Sequence, residues 1–131
     1  MENLKDNNIN FNWGLLIVQL NQIFSQVPIG SLYKCIDHIR REIIHFDDIN
    51  CDYSRQLSHY QIIRGNLIRA RNYSIERGNG DHIITINFDQ EQKSLPLNQW
   101  IELLINPTIE KINQKIISLN ELSNLSKEIK L

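Results

Sequence analysis

The chain has 131 residues, 41% of them hydrophobic and 22% charged, with a formal net charge of −1. That length supports one domain around one core, and the near-neutral charge excludes a global electrostatic pull toward nucleic acid or an anionic membrane. Two cysteines at no paired spacing argue against a disulfide framework or a cysteine metal site.

Residues 1–10 are polar, carry no signal-peptide pattern and read as disordered. The apolar run at residues 15–18 is too short to cross a membrane, and the chain reads as cytoplasmic. Residues 11–27 form the first predicted helix, with Trp13, Leu16, Leu20, Ile23, Phe24 and Val27 at near-helical spacing. Pro28 and Gly30 make a tight connection to a second helix over residues 31–46. There Leu32, Ile36, Ile39, Ile43 and Phe46 follow a 4-3-4-3 stripe behind a candidate N-cap, Ser31. The two helices are expected to pair as a hairpin. Cys35 lies beside the stripe and reads as core. Asp47, Asp48 and Asn50 supply turn chemistry at its end.

Residues 52–60 give a poor helical pattern. Residues 61–69 and 72–77 hold apolar side chains in short, partly alternating groups. Gly78, Asn79, Gly80 and Asp81 make a strong turn signal before the period-two sequence HIITINF. A β-hairpin pairing 73–77 with 82–88 is therefore predicted. Residues 89–95 read as polar connection. Pro96 precedes a helix-like LNQWIELLI, and Asn106-Pro107 places a cap and an N1 proline at the start of a last helix. Its stripe of Ile105, Ile109, Ile112, Ile116, Leu119, Leu122 and Leu125 has more apolar length than so small a chain is expected to cover. A homodimer or a partner-dependent complex is the expectation. The class is α+β and mostly helical: an N-terminal helical hairpin, an inserted antiparallel β-hairpin and a long C-terminal helix. Trp13 and Trp100 sit within apolar patterns as core residues.

Two constellations carry chemistry. The first is RREIIHF, with Arg40, Arg41, Glu42 and His45 off the apolar stripe. Here the chain resembles the HEPN superfamily, helical proteins of RNA-targeting toxins and defence systems that often carry an Arg-x4-6-His motif on a helix. Where that family often has Asn after the arginine, this sequence has Arg41. The resemblance implies a metal-independent endoribonuclease of a toxin–antitoxin or antiviral system, with no cofactor. His45 would be the general acid or base and Arg40 the phosphate clamp, with Arg41 as an alternative to Arg40. Five residues turn a helix about 500°, so Arg40 and His45 point about 140° apart, and the resemblance implies that they converge across a homodimer groove. The plainer reading is a solvated helix face on which Glu42 pairs with His38. The chain is then a non-enzymatic interaction protein: an immunity protein, an antitoxin or an accessory subunit.

The second constellation is RGNLIRARNYSIER. In an extended segment Arg69, Arg71 and Tyr73 project to one side, with Arg77 further along, and could hold phosphate and stack a base of RNA. Arginines on an exposed sheet face, paired with nearby carboxylates, are the alternative. His59 and His82 have no partners at metal-ligand spacing, and no Walker-type loop or nucleophile motif is present.

Overall fold

The computed structural model describes residues 11–47 and 52–129, with side chains placed for 11–45 and 52–125. The expectations for residues 1–10 and for the turn at 48–50 lie outside the described residues, as does the side chain of Phe46. The architecture is α+β and mostly helical. Its elements are α1 (Trp13–Phe24), α2 (Leu32–Asp47), α3 (Tyr53–Glu76), β1 (Ile83–Phe88), β2 (Glu91–Pro96) and α4 (Leu97–Trp100). A π-helical turn (Ile101–Ile105) and α5 (Asn106–Ile129) complete it.

α1 is shorter than the 11–27 expected. Asn12 caps it, its side-chain oxygen accepting the Leu15 N–H at 3.1 Å. Val27 lies beyond the helix yet stays buried. The α2 stripe holds as read: Leu32, Ile36, Ile39 and Ile43 are buried, with Cys35 beside them.

The largest correction concerns residues 53–76, which form one helix of 24 residues. Asp52 caps its start, accepting the Arg55 N–H at 2.9 Å. Its buried row is His59, Tyr60, Ile63, Asn66, Leu67, Ala70 and Ser74, a regular 3/4 spacing. Apolar periodicity misses it because three of those seven positions hold His, Asn or Ser. The helix ends where a hairpin turn was predicted. Gly78 takes a left-handed φ of 81°, the Gly78 N–H bonds the Ile75 carbonyl at 2.9 Å, and the Asn79 N–H bonds the Ser74 carbonyl at 3.1 Å. These are the paired bonds of a Schellman C-cap, so the Gly-Asn-Gly-Asp signal closes a helix rather than a hairpin.

The hairpin joins β1 to β2 instead, antiparallel, with Ile83 opposite Pro96 and Phe88 opposite Glu91. Asp89 and Gln90 make its two-residue turn, at φ 54° and 68°, the pair of positive values a type I′ connection needs. Ile84 and Ile86 alternate inward as read, whereas β2 is almost wholly exposed and so shows no apolar alternation. Beneath the hairpin lies Trp100, fully buried, its indole N–H donating to the Ile84 carbonyl at 2.8 Å.

The predicted helix start at Asn106-Pro107 is not a start. Ile101 and Asn106 both hold right-handed helical angles, so α4, the π turn and α5 run on as one helix. Pro107 cannot donate to the carbonyl four residues back, and its ring crowds that carbonyl. The π turn relieves this: the Asn106 N–H bonds Ile101, five residues back. α5 lies against α3, running the opposite way, as Arg64–Asn113 at 2.8 Å and Arg71–Asn106 at 3.0 Å establish. Ile105, Ile109, Ile112, Ile116 and Leu119 are consequently buried within the chain, and only Leu125 at the far end is exposed. The premise that this stripe exceeds what the chain can cover is corrected. Among the described residues no helix is long and apolar enough to cross a membrane.

Gly65 sits in mid-α3, and nothing lies within 4 Å of the position a Cβ would take. Gly65→Ala is expected to stabilise the protein by about 0.5–1 kcal/mol, read as a raised urea midpoint at unchanged m-value.

Candidate functional site

The outward flank of α2 carries Tyr33, Asp37, Arg40 and Ile44. At i, i+4, i+7 and i+11 they fall within about 60° of one another. Tyr33 is 68% exposed and Ile44 57%. Between them the Asp37 carboxylate takes both arginines, Arg40 NH2 on one oxygen and Arg41 NH2 on the other, each at 2.5 Å. The two guanidinium groups hold the Asp37 carboxyl below its ordinary range, the hydrogen bond from Arg40 contributing most. His45 stands exposed one turn beyond Arg41 and makes no hydrogen bond or ion pair among the described residues. Arg41 and His45, four residues apart, share the outer face, although the Arg41 guanidinium reaches back to Asp37, whereas Arg40 and His45 diverge as the helical arithmetic requires.

Glu42 does not pair with His38. Its Oε1 meets His59 Nδ1 of α3 at 3.1 Å, with the His59 side chain 1% exposed. The His59 ring lies edge-on to Trp13 and Tyr60, at centroid distances of 6.1 and 5.0 Å. This contact pins α2 to α3 in the interior, where an imidazole is out of reach of a dissolved substrate. Cys35 is out of reach too: burial pushes its thiol up, so it stays protonated and is a poor nucleophile at neutral pH. No group of three or more His, Cys, Asp and Glu that could hold a metal exists among the described residues.

The second constellation is split by its helical conformation. Arg69 and Tyr73 share a side at i, i+4, and Arg71 is turned about 200° from Arg69. Arg69 bonds Asn66 at 3.3 Å, and the Arg77 guanidinium lies over the Tyr73 ring at 4.7 Å. Arg71 faces the π turn, donating to Asn72 and Asn106, each at 3.0 Å. It lines a groove of about 430 Å³ together with Asn72, Ile75, Asn98, Ile101, Glu102 and Asn106. Asn98 and Glu102 were missed in the sequence. The available signal was a proline inside an otherwise continuous helical pattern, which marks a π turn. A smaller groove of about 350 Å³ lies where α1 turns into α2, between Phe24, Pro28 and Tyr33.

Compared with protein-family models, with curated proteins and with solved structures, the chain matches none of them.

Lys115 is buried in α5, and desolvation pulls its ammonium below its ordinary pKa of 10.5. The folded state disfavours the charged form, so Lys115 costs stability wherever it is protonated. Lys115→Met is expected to raise the melting temperature at neutral pH, with the gap closing as pH rises toward 10.5. The sign is opposite at Asp37, whose carboxyl has a folded pKa lowered from 3.8. Its contribution is present above that value and is lost as pH falls through the lower folded one. Urea titrations of Asp37→Asn and the parent should therefore differ at neutral pH and converge in acid.

Proposed function

We propose that this chain is a non-enzymatic interaction protein that presents the outward flank of α2 to a protein partner. The observation that carries the reading is the row Tyr33, Asp37, Arg40 and Ile44: two exposed apolar side chains bracketing an ion-paired arginine. Tyr and Arg are the residue types that most often dominate binding energy. The ion pair with Asp37 restrains Arg40, which lowers the entropy lost when a partner orders it. The same contact partly neutralises Arg40 and Arg41, which weakens them as clamps for a phosphate.

The HEPN-like reading is the second one, an RNA-binding or RNA-cleaving protein of a defence system. The exposed Arg41–His45 neighbours favour it. In that reading His45 transfers the proton and Arg41, more than Arg40, meets the phosphate.

One set of variants separates the two. Tyr33 and Ile44 are each replaced in the full-length protein by a photo-crosslinking amino acid, and crosslinking is carried out in the cells that make it. The expected result is a single partner of fixed stoichiometry at both positions, lost on Arg40→Glu with thermal stability unchanged. Purified protein is expected to leave single-stranded and hairpin RNA intact. RNA cleavage that survives chelators and is abolished by His45→Ala or Arg41→Ala would instead establish the second reading and overturn the first.

A further inference from the structure

The two edges of the hairpin are finished differently. Gln26 of the α1–α2 connection meets Thr85 as a neighbouring strand would. Its Nε2 donates to the Thr85 carbonyl at 2.7 Å and its Oε1 accepts the Thr85 N–H at 3.1 Å. Gln22, one turn earlier, accepts the Asn87 N–H at 2.8 Å. The outer edge of β1 is thus closed by side-chain amides. Both polar groups of Thr85 point away from β2, so Thr85 and its partner Ser94 exchange no ladder bonds. By alternation the same holds for Asn87 and Gln92. The N–H and C=O groups of Gln92 and Ser94 therefore face outward along the free edge of β2, roughly 7 Å apart. Among the described residues nothing in the fold answers them.

A groove of about 600 Å³ runs beside that edge, lined by Lys93, Leu95, Asn98, Gln99, Glu102 and Leu103. No β1 residue lines it, so it opens on the side of β2 away from β1. Lys93 and Leu95 stand on the hairpin's inner face, opposite Ile86 and Ile84. Across the groove Leu103 is 43% exposed. The Lys93 ammonium lies 5.8 Å from the Phe88 ring centroid and has no carboxylate at ion-pair distance among the described residues. An inward-facing lysine in mid-edge opposes symmetric pairing of two copies about residue 93, since lysine would meet lysine. It favours a strand that brings a carboxylate to that position.

We propose that the free edge of β2 and its groove take up an extended peptide segment of a partner protein by strand addition. An acidic side chain of the peptide stands opposite Lys93, and an apolar one, two residues away, lies over Leu95 and Leu103. Gln92 and Ser94 supply the main-chain hydrogen bonds, and the alternate side chains that enter the groove supply selectivity. This surface is separate from the outward flank of α2, and the proposal stands independently of the function proposed above.

The test is a titration of the isotope-labelled full chain, followed by amide resonances. The probes are acetyl-Thr-Leu-Thr-Glu-Thr-amide, its reverse Thr-Glu-Thr-Leu-Thr for the parallel orientation, and both with Lys in place of Glu. The acidic probes are expected to shift the Gln92 and Ser94 amides and slow their exchange. Ser94→Pro removes an outward N–H that no ladder bond uses and should weaken binding at least about tenfold. Leu103→Glu should do the same without touching the hairpin, and Lys93→Glu should transfer the preference to the Lys-containing probes. The proposal fails if millimolar probe of either orientation leaves both amides unmoved, or if Leu103→Glu binds like the parent. It also fails if the same amides shift with protein concentration alone, which assigns the edge to a second copy with Glu91 against Lys93.

Discussion

The inner row of α3 is the constraint on which the remaining structure depends. Asn66, Ala70 and Ser74 are short enough to bring α3 close to its neighbours. Two polar residues of this row are satisfied on the helix itself: Asn66 Nδ2 donates to the Ile62 carbonyl at 2.9 Å and Ser74 Oγ to the Ala70 carbonyl at 2.8 Å. Hydrogen bonds closed within one helix let polar residues be buried without a partner from elsewhere in the fold. α2 and α5 both pack on this helix, and α2 is pinned there by the Glu42–His59 contact. The Schellman end at Gly78 then sets where the chain leaves α3 and enters the hairpin.

From that arrangement follow the two surfaces proposed for binding. Packing the α2 stripe inward turns Tyr33, Asp37, Arg40 and Ile44 outward as a row, in which Asp37 and Arg40 are held by a local ion pair. Packing Trp100 under Ile84 and Phe88 seats the hairpin on the helical body. Gln22 and Gln26 then close one of its edges. A two-stranded sheet is marginal alone, and here a buried indole and two side-chain amides supply what further strands would have supplied.

Charge is arranged locally, in keeping with the small net charge. Arg40, Arg41, Arg64, Arg69 and Arg71 all bond to Asp or Asn side chains of the protein itself. Arginines bonded in this way are part of the scaffold as much as of a binding surface. Arg71 in particular ties α3 to α5 beside the π turn, which is why its neighbours in sequence do not share its surroundings.

The sequence by itself determined the class, the α2 stripe, the inward alternation of β1 and the burial of Trp100 and Cys35. In each case apolar residues recur at the period of the element that buries them, and that signal is local. Tertiary structure alone decided the rest. α3 was hidden because its buried row is partly polar, and burial of Asn66 and Ser74 is possible only once their hydrogen bonds close on a formed helix. β2 was hidden because an exposed edge strand needs no apolar alternation. Glu42 chose His59 over His38 because α3 brought that imidazole to it. The candidate catalytic residues Arg40, Arg41 and His45 were legible as a helix face. That Asp37 would draw the two arginines away from His45 depended on rotamers, which spacing does not specify. The Arg69, Arg71 and Tyr73 set came apart for the simplest reason: side chains that share one side at period two are scattered at 3.6 residues per turn.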